Sequence, residues 1–290
     1  MPNKITLASN FTTLLDEAYR AASVTTDLNT NDATIRAGAN AGEVDVPKMT
    51  VDGLADYSRN DGYTKGATTL EWETVKYNYD RGRIFQVDAM DNQESVNLAF
   101  GQLGGQLMKH AAAPEGDAFT FATLAGLTGI LTTDAADFTT GDAAIEAIRA
   151  GENEMDNEEV DAGRILYIAP ALFRAIQAME TYKSQQVLSD FAKVVLVPVK
   201  RFYTAIDLQD GKTKGEEIGG YKKATGGANI NFMIIEPSAV LKHDKHVTGD
   251  IIDPSANQTA DAYMLKYRKY GIVSAYGNKL HGIYLHKATA

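Results

Sequence analysis

Alternating hydrophobic and polar residues in the first third of the chain predict a long β-hairpin. The string EVDVPKMTV, residues 43–51, alternates valine with polar residues, and Pro47 indicates an edge strand because proline has no N–H to donate. The string LEWETVKYNY, residues 70–79, alternates as well, and the pattern predicts that the strand breaks at residues 80–82. Residues 52–69 are rich in glycine, aspartate, asparagine and serine, which favour turns. Neither face of the second strand is cleanly apolar, so we expect the hairpin to pack only partly on its own core.

A helical period replaces the alternation in the next segment. Apolar residues at helical spacing predict a long helix over residues 93–126, capped at its N-terminus by Asp91 or Asn92. Pro114 lies inside this segment and predicts a bend near Ala113, because proline removes a helical hydrogen bond. We expect this helix to be the structural spine of the protein.

The first 45 residues are small and polar apart from one short stretch. Residues 11–22 have apolar side chains at helical spacing and predict a short amphipathic helix. Residues 23–43 show little apolar periodicity and predict an extended arm that buries almost nothing by itself. We therefore expect the arm to be loose or to be ordered by contact with something else.

The rest of the chain alternates short strands and helices without the repeating strand–helix–strand pattern of a parallel sheet. The fold class predicted from this order is α+β. The predicted elements are a helix over residues 142–157, a buried strand over 164–170, a helix from Pro170, a strand over 193–207, a polar loop over 208–229, a buried strand over 230–240 and aromatic-rich strands over 262–287.

Composition narrows the functional classes. The 290 residues carry 28 Lys and Arg against 38 Asp and Glu, a formal net charge of −10, which disfavours tight binding of nucleic-acid phosphates. The absence of cysteine excludes disulfides, thiolate catalysis and cysteine-ligated metals. No apolar run approaches the about 20 residues that a membrane span needs, so we expect no membrane partner.

Motifs that carry chemistry are weak. The string DGKTKG contains part of a phosphate-binding loop, but the required earlier glycine is replaced by Ile206. His243 and His246 in KHDKHVTGD are three residues apart, but this segment is predicted to be a strand exit and turn, where a surface histidine pair is the simpler interpretation. We therefore expect no catalytic residue, cofactor or metal, and a metal-dependent enzyme remains only a remote alternative.

Seven strings, spread over nearly the whole chain, occur in the order found in one family of shell proteins. The chain resembles the major capsid proteins of tailed phages with the Hong Kong 97-like fold, most closely those of siphophages of Gram-positive hosts. Encapsulin shells share this fold and are the alternative. The strings are VPKMTVDGLADYSRNDGY, TLEWETVKYNYDRGRIFQVDAMD, PEGDAF, GRILYIAP, RFYTAID, INFMIIEPSAV and GIYLHK.

The resemblance implies a division of the chain into functional parts. The extended hairpin loop would lie over an adjacent subunit, and the polar loop over residues 208–229 would lie near the five- and six-fold axes. The implied parts are an N-terminal arm (1–45), an extended β-hairpin loop (46–80), a peripheral domain with the spine helix (81–130), an axial domain (131–254) and a return to the peripheral sheet (255–290).

The same resemblance implies contact residues in two groups. The intersubunit contacts would be Asp56, Tyr57, Arg59, Tyr63, Lys65, Trp72, Tyr77, Arg81 and Arg83. The axial loop would present Asp210, Lys212, Lys214, Glu216 and Glu217.

The resemblance also implies partners and location. The chain would assemble with itself into pentamers and hexamers, and with a portal protein, around double-stranded DNA that it binds without sequence specificity. Relatives with a fused scaffolding segment carry a long helical extension that this sequence does not show, so a separate scaffolding protein, or a precursor that is cleaved, is expected. Assembly would take place in the host cytoplasm, and the product would be part of the virion.

Overall fold

The computed structural model describes residues 7–30, 35–38, 40, 42–60, 62–94, 102–138 and 140–289, and these form an α+β chain. The helices are α1 (Leu7–Ala22), α2 (Ala89–Glu94), α3 (Leu103–Leu107, π-helical Met108–Ala112 and Ala113–Ala125), α4 (Gly141–Asn157), α5 (Pro170–Gln177) and α6 (Tyr182–Ser189). The strands are β1 (Arg36–Ala37), β2 (Glu43–Val51), β3 (Thr68–Lys76), β4 (Tyr79–Asp88), β5 (Leu131–Thr132), β6 (Ile165–Ile168), β7 (Lys193–Leu196), β8 (Ile206–Leu208), β9 (Tyr221–Lys223), β10 (Ile230–Ile235), β11 (Val240–Ile252), β12 (Ala262–Ala275) and β13 (Ile283–Lys287).

The described strands form four sheets, of which the largest carries the main core. Its order is β5-β13-β10-β6-β7, and α4, α5 and α6 cover one face through a buried cluster that includes Ile148 and Ile176. Helix α3 packs on the other face, where Phe121 and Leu124 meet Tyr167. The remaining sheets are β1-β2-β3, β11-β12-β4 and the two-stranded β8-β9.

Elements with a strong local pattern are confirmed. Strand β6 and most of β10 are fully buried, as their unbroken apolar runs predict. Helix α5 begins at Pro170, which occupies the first helical position where its missing N–H costs no hydrogen bond. Helix α4 buries Ile145, Ile148 and Met155 on one face. In each of these segments the local sequence pattern fits one type of secondary structure, so the prediction does not depend on distant contacts.

The hairpin is confirmed, but the predicted break at residues 80–82 is wrong. Strand β4 runs through these residues in continuous register with β12, and the chain leaves the hairpin earlier, at Tyr77 and Asn78. The Asn78 side chain explains the earlier break: its Nδ2 donates to Val273 O at 2.8 Å and its Oδ1 accepts from Val273 N at 3.0 Å. Strand β2 lies between β1 and β3, but β1 pairs only with Val44 and Asp45. Pro47 therefore lies on an unpaired edge, as expected.

The spine helix is confirmed at its C-terminal end and differs at its start. Residues 95–101 lie outside the described residues. The N-cap prediction of Asp91 or Asn92 is wrong, because α2 begins at Ala89 and both residues lie inside it; Asp88 Oδ1 accepts the Met90 N–H at 2.9 Å instead. Just before Pro114 the helix takes a π turn, in which Ala113 N–H donates to Met108 O.

The predicted arm is more buried than its polar sequence suggests. Helix α1 is confirmed and begins at Leu7, and its Leu15 and Tyr19 pack in a cluster with Met108 and Leu265 of the same chain. Thr25 and Leu28 of the arm are also buried. Thr25 and Leu28 are ordered by contact with distant parts of the same chain, which agrees with the expectation for residues 23–43. A periodicity analysis does not detect these non-local partners.

Three further predictions need correction. The KHDKHVTGD segment is not a strand exit and turn: it lies inside β11, which pairs along β12 with one irregularity after Asp244. The strand predicted over 193–207 is split into β7 and β8 by a short 3₁₀ turn that follows Pro198. The polar loop over 208–229 contains strand β9, which pairs with β8. Pairing with another strand overrides the local pattern in the first and third cases, and a proline interrupts the predicted strand in the second.

Candidate intersubunit surfaces

The base of the β2–β3 hairpin is fixed to its own subunit. Val44 and Val46 are buried in a cluster with Leu241 of β11 and Ile272 of β12. Beside them, Thr74 Oγ1 donates to Asp45 Oδ1 at 2.7 Å across the two strands. The base therefore holds the hairpin to the β11–β12 sheet.

Beyond its base, the hairpin is exposed on both faces. All side chains of β3 except Val75 are exposed, including Leu70 at 56% and Trp72 at 46% of their full areas. Met49 of β2 is exposed as well. A two-stranded ribbon with apolar side chains on solvent is marginally stable alone, so this surface is suited to contact with another molecule.

The tip of the hairpin, residues 52–67, is organised by local bonds. Asp52 N donates to Ala67 O at 3.1 Å, and Asp52 Oδ2 accepts from Ala67 N at 2.7 Å, which closes the tip. The rings of Tyr57 and Tyr63 pack against each other with centroids 4.8 Å apart. Leu54 is fully exposed. The tip thus presents an aromatic and apolar surface to solvent.

The structure brings five of the predicted contact residues together at this tip. Each of them is exposed, and their intersubunit role stays a prediction. They are Asp56, Tyr57, Arg59, Tyr63 and Lys65.

Two predicted contact residues lie nearer the base and have partners in their own chain. The Arg36 guanidinium lies 5.6 Å from the Trp72 ring centroid, which leaves about half of the indole exposed. The Tyr77 ring stacks on Tyr270 with centroids 4.7 Å apart, and the Lys245 ammonium lies 5.1 Å from it. Trp72 therefore keeps enough exposed surface to contact a neighbouring subunit, whereas much of the Tyr77 ring already contacts residues of its own chain.

The side chains of Arg81 and Arg83 in β4 form polar contacts within their own chain. Arg81 forms a salt bridge of 2.6 Å with the buried Glu115 of α3 and donates to Gln209 O at 2.8 Å. Arg83 donates to Glu217 O at 2.8 Å and also to Ile218 O. The two arginines thus tie residues 209–220 to β4, a link that the sequence pattern does not reveal.

The predicted axial-loop residues Asp210, Lys212, Lys214, Glu216 and Glu217 lie in this segment, and the loop stabilises itself locally. Asp210 accepts the N–H groups of Lys212 and Thr213 at 2.7 and 2.8 Å, and these hydrogen bonds lower the pKa of its carboxyl to about 2. Glu216 pairs with Lys222 at 3.5 Å. Lys214 is exposed. The location of this loop near symmetry axes stays a prediction.

A buried polar network joins the segment after α1, helix α3 and Arg201, and sequence analysis missed it. Asp117 of α3 is fully buried and forms a 2.9 Å salt bridge with Arg201. It also accepts from Ser23 Oγ at 2.6 Å and from Thr25 Oγ1 at 2.8 Å. The available signal was an aspartate four residues before Phe121 on the apolar side of a helix.

Lys242 of β11 extends this network. Its ammonium is buried and donates to Thr25 Oγ1 at 2.7 Å and to Thr25 O at 3.0 Å. Burial, with the nearby charge of Lys269, lowers the pKa of Lys242 to about 8. Lys269 itself pairs with Asp244 at 3.0 Å and lies over the Tyr19 ring. These contacts anchor the arm to its own subunit.

Among the described residues, no group of three or more His, Asp or Glu side chains is placed to hold a metal ion. His243 and His246 lie on β11, where they face Ile272 and Tyr270 of β12 in the register. No helix in the described ranges is both long and apolar enough to cross a membrane.

Comparison with known proteins gives structural matches only. No family model matches the chain, and no curated protein sequence matches it. The capsid protein of cyanophage P-SCSP1u is similar at a TM-score of 0.59 and 13% identity, covering 92% of this chain and 88% of that one. The capsid protein of Myoviridae phage XM1 is similar at a TM-score of 0.55 and 14% identity, covering 92% of each chain. A virus-like particle protein from Pyrococcus furiosus is similar at a TM-score of 0.56 and 11% identity, covering 97% and 100%. Along nearly its whole length, the chain has the fold of phage capsid subunits.

Proposed function

We propose that this protein is a major capsid protein of the Hong Kong 97-like type, which self-assembles into an icosahedral shell around phage double-stranded DNA. The observation that carries the proposal is the hairpin: its base is fixed to the subunit, while its distal part exposes apolar residues on both faces. Such a surface gains stability when a neighbouring subunit covers it. The shared fold with phage capsid subunits supports the same conclusion.

In this proposal each part of the chain has a structural role in the shell, and none catalyses a reaction. The hairpin lies over an adjacent subunit, helix α3 is the spine of the peripheral domain, and residues 208–229 face the symmetry axes of pentamers and hexamers. A scaffolding protein and a portal protein complete the assembly. The net charge of −10 suits a shell that encloses DNA with little affinity for it.

Trp72→Ala tests the proposal. The indole is about half exposed on an unpacked ribbon, and aromatic anchors contribute most to the stability of interfaces. We expect a loss of about 2 kcal/mol at each contact, which lowers the yield of assembled particles at least about tenfold, with little change in subunit solubility. Trp72→Phe, which keeps an aromatic ring, should retain most of the yield. Sedimentation of the expressed variants measures both quantities, and equal particle yields for Trp72→Ala and wild type would refute the role.

A shell that holds protein cargo instead of DNA is the second candidate. The observation that favours it is the match to the Pyrococcus furiosus virus-like particle protein, which covers 97% of this chain and all of that chain. The two candidates differ in contents: particles isolated from the natural source contain mainly duplex DNA in the first case and a single enriched protein in the second.

A further inference from the structure

A small cavity lies where helix α1 meets helix α3 and strands β11 and β12. Its polar lining comes from side chains of all four elements, namely Tyr19, Thr120, Lys242, Asp244 and Lys269. About 10 Å³ of the cavity is open to the centre of a water-sized sphere, which is close to the least that one water molecule needs. The cavity therefore has the size and the polarity of a site for a single water molecule, and it is too small for a larger ligand.

The Tyr19 hydroxyl is the polar group of this cavity that most needs a partner. Tyr19 is only 7% exposed, and no described residue forms a hydrogen bond with its Oη atom. A buried hydroxyl without a hydrogen bond is costly, and it is rare in folded proteins. The ring itself is held in place by the Lys269 ammonium, which lies 3.9 Å from the ring centroid. A partner from outside the chain is therefore expected at Tyr19 Oη.

Two glycine residues keep the space beside the polar atoms open. Gly116 of α3 and Gly271 of β12 both line the cavity. A Cβ atom at Gly116 would overlap Tyr19 Oη, and a Cβ atom at Gly271 would come within 2.6 Å of Asp244 Oδ1. Both oxygen atoms therefore lie at the glycine-lined wall of the cavity, where a larger side chain would displace them.

Two neighbouring groups keep hydrogen-bonding capacity beyond their partners in the protein. Asp244 Oδ2 pairs with Lys269 Nζ at 3.0 Å, which leaves Asp244 Oδ1 as a second acceptor. Lys242 Nζ donates to Thr25 Oγ1 and to Thr25 O, which uses two of its three N–H groups. Together with the Tyr19 hydroxyl, one donor and one acceptor make three polar partners, the usual number for a buried water molecule.

We propose that the cavity binds one structural water molecule, which accepts a hydrogen bond from Lys242 Nζ, donates one to Asp244 Oδ1 and forms a third with Tyr19 Oη. The water joins α1 to β11 through bonds that these side chains do not make directly. It thereby completes the polar network that fixes the N-terminal helix to the rest of its subunit. This inference goes beyond the proposed shell function and does not depend on it.

A crystal structure of the full chain, at a resolution that shows ordered water, tests the site directly. The expected result is a single water peak within hydrogen-bonding distance of Tyr19 Oη in the wild type, and loss of this peak in Tyr19→Phe. Absence of the peak from the wild type, or its persistence in Tyr19→Phe, would overturn the proposal. Crystals soaked in sodium bromide test for an anion beside the two lysines, and an anomalous bromide peak in the cavity would overturn the assignment to water.

Thermal unfolding of two phenylalanine variants of the unassembled subunit tests the site in solution. Tyr167 supplies the control, because its buried hydroxyl also lacks a partner among the described residues but does not line this cavity. Tyr19→Phe should lower the unfolding midpoint by about 2 to 4 °C, because the bound water loses one partner and the ring is kept. Tyr167→Phe should leave the midpoint unchanged or raise it, because it removes an unpaired buried polar group. A midpoint of Tyr19→Phe at or above the wild-type value would contradict a bound water at Tyr19.

Discussion

Shortening the hairpin is expected to abolish assembly and leave the subunit folded. In the variant, residues 53–66 are replaced by Asn-Gly, which joins Asp52 to Ala67 in a two-residue turn that suits a hairpin. Those of the removed residues that the structure describes belong to none of the buried clusters, and they include the exposed Leu54, Tyr57 and Tyr63. The midpoint of thermal unfolding should therefore stay within a few degrees of wild type, while the particle fraction falls to background.

Sedimentation velocity and thermal unfolding on the same samples distinguish the possible outcomes. Asn60→Ala, which changes an exposed polar residue in the same turn, serves as the matched control and should assemble like wild type. Particles formed at wild-type yield by the shortened variant would contradict an intersubunit role for the tip. A large loss of thermal stability would instead show that the tip supports its own subunit.

Asp117→Asn is expected to lower the free energy of unfolding of the unassembled subunit by about 3 kcal/mol, because it removes the charge of the fully buried member of the salt bridge and leaves the partly buried Arg201 without a charged partner. The substitution also weakens the hydrogen bonds from Ser23 and Thr25 that hold the arm to the spine helix. Urea denaturation of the subunit, followed by two spectroscopic probes, measures the loss.

An exposed ion pair supplies the control for this variant. Asp16 pairs with Arg20 at 2.9 Å, one turn apart on α1, where Arg20 is exposed and Asp16 is partly exposed. Asp16→Asn should change the free energy of unfolding by less than about 0.5 kcal/mol. A loss below about 1 kcal/mol for Asp117→Asn would mean that the buried network is not an important stabiliser of the arm.

The parts of the fold that could be predicted from sequence are those in which local pattern and tertiary environment agree. The unbroken apolar run of β6 and the helical period of α4 each allow one structure, and the structure has them as expected. The hairpin was also predictable as an element, since its strands alternate around a turn-rich tip.

The remaining features depend on contacts that a linear pattern does not contain. The break at Asn78 depends on its side chain pairing with Val273, almost 200 residues away. The burial of Thr25 depends on Asp117 and Lys242. The resemblance to the shell proteins implies Arg83 as a contact residue, but its carbonyl partners lie in residues 209–220, whose path no local signal specifies. Long-range polar pairing is therefore the main information that the sequence pattern lacks.

Negative-stain electron microscopy of the wild-type protein, expressed alone and with a co-expressed scaffolding protein of its natural source, tests the central claim most directly. The account predicts closed shells of uniform diameter, or rings of five and six subunits, in at least one of these preparations. A folded, compact monomer without particles or rings in either preparation would contradict it.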